Sequence, residues 1–147
     1  NTCANRMQER FEKGFWVDGH GDLHARNIFL LDVPVVFDCI EFNPHFRRLD
    51  VLNDLAFLCM DLEARGHPEL AKSFLDAYRQ IWEVAPAPED QLLFLFFKAY
   101  RANVRLKVSL LELRQHYSAE LLGSVRRYWE LLKNYCDLLQ TGVLQNA

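Results

Sequence analysis

The sequence has no C-x-x-C pair. Its four cysteines, Cys3, Cys39, Cys59 and Cys136, lie far apart. That spacing reads as reduced thiols of a cytoplasmic protein rather than a disulfide frame. It has no excess of basic charge: the formal net charge is −3. A nucleic-acid binder normally needs a strongly basic face, so nucleic acid is not an expected partner. It has no long apolar run either. The longest, Leu92 to Phe97, falls far short of the about 20 residues that cross a bilayer, so no membrane role is expected. Internal repeats, low-complexity tracts and a signal-peptide pattern are also missing.

What is present is the material of a packed domain. Half of the 147 residues are hydrophobic and 13% are aromatic, which excludes a disordered polar chain. A chain of about 150 residues can bury roughly 70% of its unfolded surface and build its own core. One domain spanning 1–147 is expected.

The two stretches of that domain differ in texture. Over 1–48 the pattern is mixed. Asn5 to Lys13 reads as the tail of a helix stopped by Gly14, and Phe15 to Val17 as a short strand. Ile28 to Leu31 and Val35 to Phe37 read as a hairpin, with Pro34 in its turn or at a strand's first position. Over 49–147 the pattern is helical. Asp50 is placed to cap a helix whose apolar residues Val51, Leu55, Leu58 and Leu62 recur at helical spacing. Gly66 and Pro68 separate it from a second helix reaching about Trp82. Pro88 opens a long third helix toward Tyr117, and Ser118 caps a last one ending near Leu139. The expected class is α+β, predominantly helical, with a short β-hairpin.

The chemistry concentrates in His20-Gly21-Asp22-Leu23-His24-Ala25-Arg26-Asn27, between the strand-like run and the hairpin. A loop anchored at both ends can hold a catalytic group in position. The Asp22 carboxylate can take a proton from a hydroxyl, and the Asn27 amide oxygen can ligate Mg²⁺. Asp38, at the end of Val35-Val36-Phe37, supplies a second hard oxygen donor of the kind that Mg²⁺ prefers.

H-G-D-L-x-x-x-N followed by Asp38 matches the spacing of the protein-kinase signature, with Gly21 in place of its arginine. With that glycine, with Asp54-Leu55-Ala56 and with Phe37-Asp38-Cys39-Ile40-Glu41-Phe42-Asn43, residues 15 to 62 resemble the aminoglycoside and choline phosphotransferase branch of the kinase-like fold. More narrowly they resemble the phosphotransferase-like domain that some bacterial proteins fuse to a P-loop ATPase. The resemblance implies the C-terminal lobe of that fold. It implies ATP or GTP as phosphoryl donor, Mg²⁺ as cofactor and a small-molecule hydroxyl as acceptor. Asp22 would be the catalytic base, Asn27 and Asp38 the metal ligands, and His20 a brace of the loop. Asp54 would accept hydrogen bonds from the loop, and Glu41 would add a metal or water contact.

One departure bears on activity. Kinase-like enzymes grip the nucleotide with an N-terminal lobe that carries a glycine-rich loop and a strand lysine. The residues before Phe15 cannot contain it, and Gly14, Gly19 and Gly21 form no G-x-G-x-x-G. The isolated chain is therefore expected not to turn over. Its expected partners are the missing lobe or a fused ATPase domain, or a second copy covering exposed apolar surface.

Other readings stand beside this one. A non-catalytic binding or regulatory module could keep the same fold. His20, Asp22 and His24 also spell H-x-D-x-H, the kind of run used by metal-dependent phosphohydrolases. No D-x-H precedes it, however, and His45, His67 and His116 are scattered; His24 fits a loop or substrate-side group better than a ligand. Lys98, Arg101 and Arg105 share one helix face. The plain expectation is a solvated face, with Glu112 as a partner. If the face instead borders the acceptor cleft, it favours an anionic or neutral acceptor. Phe94, Phe96, Phe97, Tyr100, Trp82 and Trp129 are expected to be core.

Overall fold

The N-terminal helix is tied into the molecule by two arginines on one of its faces. The structure is a computed structural model and describes residues 2–142. Helix α1 (Thr2–Glu12) ends at Gly14, whose φ of +79° suits a residue without a side chain. Arg10, fully buried, grips Asp50 through Nε at 2.5 Å and Nη2 at 2.8 Å. Arg6 grips Asp90 at 2.7 and 2.8 Å. Such pairs hold together only when both partners are present, because a lone charge in this interior has no water to solvate it.

Strand β1 (Trp16–Asp18) follows and pairs antiparallel with β4 (Arg48–Asp50), Trp16 facing Asp50. Strands β2 (Ile28–Phe29) and β3 (Val35–Val36) form the expected hairpin, shorter than the apolar runs that announce it. Pro34 lies in its turn, just ahead of β3, where its missing N–H costs no ladder bond.

Helix α2 (Val51–Ala64) starts directly from β4. The Asp50 carboxylate caps it by accepting from Leu52 N at 2.8 Å, while also holding Arg10. Eleven of its fourteen residues are buried, so it is the central helix rather than an amphipathic surface one. Helices α3 (Pro68–Ile81), α4 (Pro88–Gln115) and α5 (Ala119–Thr141) surround it. Their boundaries follow the local signals. Gly66 has φ +86°, Pro68 and Pro88 sit in first turns, Ser118 Oγ accepts from Leu121 N, and Gly142 is left-handed at φ +63°.

One side of α2 packs Phe57, Met60 and Ala64 against Leu95, Ala99, Ala102 and Leu106 of α4 and Tyr128 and Tyr135 of α5. The other packs Leu52, Leu55 and Ala56 with Phe15, Val84, Leu93 and Phe97. The class is therefore α+β and predominantly helical. Among the described residues no helix is long and apolar enough to cross a membrane.

Two expectations need correction. Of the aromatics expected in the core, Phe97 is buried and Phe94 half-buried, but Phe96, Tyr100, Trp82 and Trp129 are exposed. The long α4 turns part of its apolar surface away from both cores. The Lys98–Arg101–Arg105 face is not solvated either: Arg101 is buried and Lys98 half-buried, and Lys98 pairs at 2.7 Å with Glu63 rather than Glu112.

Candidate active site

The loop from Gly19 to Asn27 is held from three sides. From the residue just ahead of β4, Arg47 O accepts from Gly19 N at 2.8 Å. From the first turn of α2, the Asp54 carboxylate accepts from His20 N at 2.7 Å and from Gly21 N at 3.0 Å. From α4, Arg101 Nη1 donates to Gly21 O at 2.9 Å, while its Nε donates to Asn53 Oδ1. A Cβ at Gly19 would collide with Asp54 Oδ2, and one at Gly21, where φ is +81°, would meet Phe46 O at 2.9 Å. The two glycines thus let the loop lie directly on its supports. The cation that braces Gly21 comes from α4.

His20 locks the loop to the hairpin. Its Nδ1 accepts from Asp22 N at 3.2 Å, which leaves Nε2 to donate to Phe37 O at 2.8 Å. Both ring nitrogens are spent inside the protein, so His20 offers none to a metal. Further along, Phe37 N donates to Asn27 O and Ile40 N to His20 O. The ladder register therefore carries Asp38 to the side of the Gly19–Asn27 loop. Asp38 has φ +61°, the one non-glycine residue with positive φ among the described residues. Such strain persists only where the surroundings enforce it, and it gathers at functional sites.

Asp22, Asp38 and Glu41 line one cavity of about 300 Å³. Buried Asn27 donates through Nδ2 to Asp22 O at 3.0 Å, with Asp22 Oδ2 at 3.5 Å. Its amide nitrogen is thereby committed to the loop, and its oxygen is the group left for a ligand. Two carboxylates and an amide oxygen are a hard donor set that suits Mg²⁺. Among the described residues no three His, Cys, Asp or Glu side chains gather into a metal cage. Magnesium held jointly with phosphates needs none.

The charges around the loop are shifted. The His24 hydrogen bond holds the Asp22 carboxyl below the usual range against its partial burial, and the charges of Arg105 and Arg101 add to that. Asp22 is thus held ionised. Burial pushes Asp54 up, opposed by the His20 and Gly21 N–H groups and the charge of Arg101. Burial likewise pulls Arg101 down, opposed by Asp54.

The residues expected on the substrate side divide. His24 is buried edge-on to Phe57, with Nε2 at 3.4 Å from Asp22 Oδ2. Arg101 reaches the loop. Lys98 does not; its ammonium lies on Glu63 and the Tyr135 ring, beside a separate cavity that Cys59 also lines. Sequence reasoning missed Asp61, two turns after Asp54. It accepts from Ala25 N at 3.0 Å, from Tyr128 Oη at 3.1 Å and from Arg65 Nε at 2.9 Å. The available signal was an acid seven residues, or two helical turns, beyond Asp54 on the same helix.

No family model matches the chain, and no solved structure matches it. It is similar to uncharacterized proteins of Mycobacterium bovis and Mycobacterium tuberculosis, 44% identical over 119 residues, which is 80% of this chain and 23% of theirs. The chain therefore spans about a quarter of the length of the curated relatives it matches.

Proposed function

We propose that the chain is the C-terminal lobe of a kinase-like phosphotransferase that moves the γ-phosphoryl group of ATP or GTP to the hydroxyl of a small molecule. What carries this is the convergence of Asp22 and Asp38 on one cavity, with Asn27 hydrogen-bonded to the Asp22 backbone. Asp22 orients the acceptor hydroxyl and takes its proton. The hydroxyl oxygen bonds to the γ-phosphorus as the bond to the β–γ bridging oxygen breaks, and the nucleoside diphosphate leaves. Asn27 and Asp38 would hold Mg²⁺, which when bound neutralises and orients the phosphates. Positioning and charge neutralisation carry most of such a reaction.

The loop supports explain the placement. Asp54, Arg101 and the His20 ring fix the backbone on either side of Asp22, so its carboxylate is set before substrate arrives. The hairpin and the segment after it expose Leu30, Leu31, Val33, Val36, Phe42 and Phe46. An apolar surface of that kind calls for a cover. The proposed cover is a nucleotide-gripping lobe or an attached ATPase domain elsewhere in the natural polypeptide.

The test is Mg²⁺-dependent nucleotide binding and phosphoryl transfer by the natural polypeptide. Transfer that requires Mg²⁺ and is abolished by both Asp22→Ala and Asp38→Ala is the expected result. Normal turnover in either variant overturns the assigned roles. A complete lack of Mg²⁺-dependent nucleotide binding assigns the chain instead to a binding or regulatory module.

A further inference from the structure

Two buried side-chain polar atoms among the described residues have no hydrogen-bond partner, His24 Nδ1 and Arg105 Nε. Buried donors and acceptors are nearly always paired, so each orphan calls for an explanation. Both belong to groups that act on Asp22. His24 Nε2 lies 3.4 Å from its carboxylate, and the charge of Arg105 is felt there.

Arg105 differs from the cations before it on α4. Lys98 is neutralised by Glu63 at 2.7 Å. Arg101 is spent on Gly21 O and Asn53. Arg105 makes no ion pair and no side-chain hydrogen bond among the described residues. Its guanidinium lies over the Tyr128 ring, 5.7 Å from the centroid. That ring is fixed by its own hydroxyl, which donates to Asp61, the residue that also holds Ala25 N of the loop. Arg105 is therefore a cation with no hydrogen-bonded or paired carboxylate among the described residues, seated on the Tyr128 ring one helical turn beyond Arg101, which holds the loop, and its charge reaches the proposed base. A guanidinium presents a planar fork of donors matched to carboxylate and phosphate oxygens.

We propose that Arg105 selects the acceptor, and that the acceptor is a small alcohol carrying a carboxylate or phosphate group. The Arg105 fork takes the anionic group, which leaves the hydroxyl to Asp22. This rests on the phosphotransferase reading for the fate of the hydroxyl, but the anion site itself can be measured without nucleotide.

The experiment follows the arginine Nε–H signals of the protein by NMR at constant ionic strength. The probes are glycerate, glycerol 3-phosphate and glycerol. The expected result is a saturable shift of the Arg105 signal with at least one of the two anions, and none with glycerol at tenfold higher concentration. Arg105→Gln should weaken anion binding at least tenfold without lowering Tm, Arg105→Lys should keep part of it, and Arg126→Gln, on an exposed face of α5, should keep all of it. No saturable response to either anion, an equal response to glycerol, or binding that survives Arg105→Gln overturns the proposal. Phosphoryl transfer is scored separately, with Mg²⁺ and ATP. Transfer to glycerol as fast as to the anions sinks the anionic-acceptor proposal alone. Anion binding at Arg105 in a polypeptide that binds no Mg²⁺–nucleotide sinks the phosphotransferase reading and leaves the anion site standing.

Discussion

Arg101 and Gly21 stand eighty residues apart in sequence and are joined by a hydrogen bond of 2.9 Å from the guanidinium to the glycine carbonyl. Through it the longest helix braces the loop that carries Asp22. The same guanidinium packs 4.6 Å from the centroid of the Phe57 ring, so the brace belongs both to the core and to the site.

Replacing Arg101 by Met should therefore cost about 3 kcal/mol of stability. It leaves Gly21 O and Asn53 Oδ1 without their donor and removes a charge that opposes the Asp54 carboxylate. Arg101→Lys should recover less than half of the loss, because a single ammonium cannot reproduce the two-sided fork. Urea denaturation of the three proteins measures both differences. Equal stability of the Met variant and the parent would show that the loop does not depend on α4.

The buried pair of Arg6 and Asp90 predicts an acid response. Burial alone would raise the Asp90 carboxyl, but hydrogen bonds from Arg6 and from Ala87 N outweigh it and hold the group below its ordinary value. The folded state thus takes up this proton only at a lower pH than the unfolded chain does. The stabilisation is complete above the unfolded carboxyl pKa of about 4 and is lost as the pH falls through the depressed folded value. Asp90→Asn should be less stable than the parent by about 3 kcal/mol at pH 7, with the gap closing below pH 4. A gap that stays constant from pH 7 to pH 3 would mean that Asp90 does not titrate differently in the two states.

Gly19 gives a steric test of the loop's seat. An added methyl there overlaps Asp54 Oδ2. Relief means moving the carboxylate that accepts from His20 N and Gly21 N. Gly19→Ala should cost about 2–3 kcal/mol. Gly14→Ala, at φ +79° but with open space around the new methyl, should cost only about 1 kcal/mol of backbone strain. Paired thermal melts decide it. The reverse order would mean that the loop can shift away from α2 freely.

The sequence made the loop and the helix ends legible for one reason: their determinants are local. H-G-D-L-H-A-R-N lies in eight consecutive residues, and Asp50, Gly66, Pro68, Pro88 and Ser118 each act within a turn of their own position. The pairing of β1 with β4 was hidden because more than two dozen residues separate the strands, and neither carries an apolar alternation long enough to announce itself. The ion pairs were hidden differently. Arg6, Arg10, Asp61 and Asp90 look like ordinary surface charge until their partners, distant in sequence, are brought beside them. Arg101 misleads in the same way: its spacing from Lys98 and Arg105 is that of a solvated helix face, and only the fold turns it toward Gly21.

Asp38 tests whether strain is held in the structure for the sake of the site. At φ +61° a side chain crowds its own backbone, and glycine does not. Asp38→Gly trades that relief against the greater freedom of glycine in the unfolded chain, so stability should stay within about 1 kcal/mol of the parent. Asp38→Val, branched at Cβ, should lose about 1–2 kcal/mol. Neither variant keeps the carboxylate of a residue that lines the cavity together with Asp22, so both should lose the proposed Mg²⁺-dependent nucleotide binding in the natural polypeptide. Stability then separates glycine from valine, while binding groups them together. A structural role for Asp38 predicts instead that binding follows stability, and retained binding in Asp38→Gly would remove Asp38 from the proposed metal ligands.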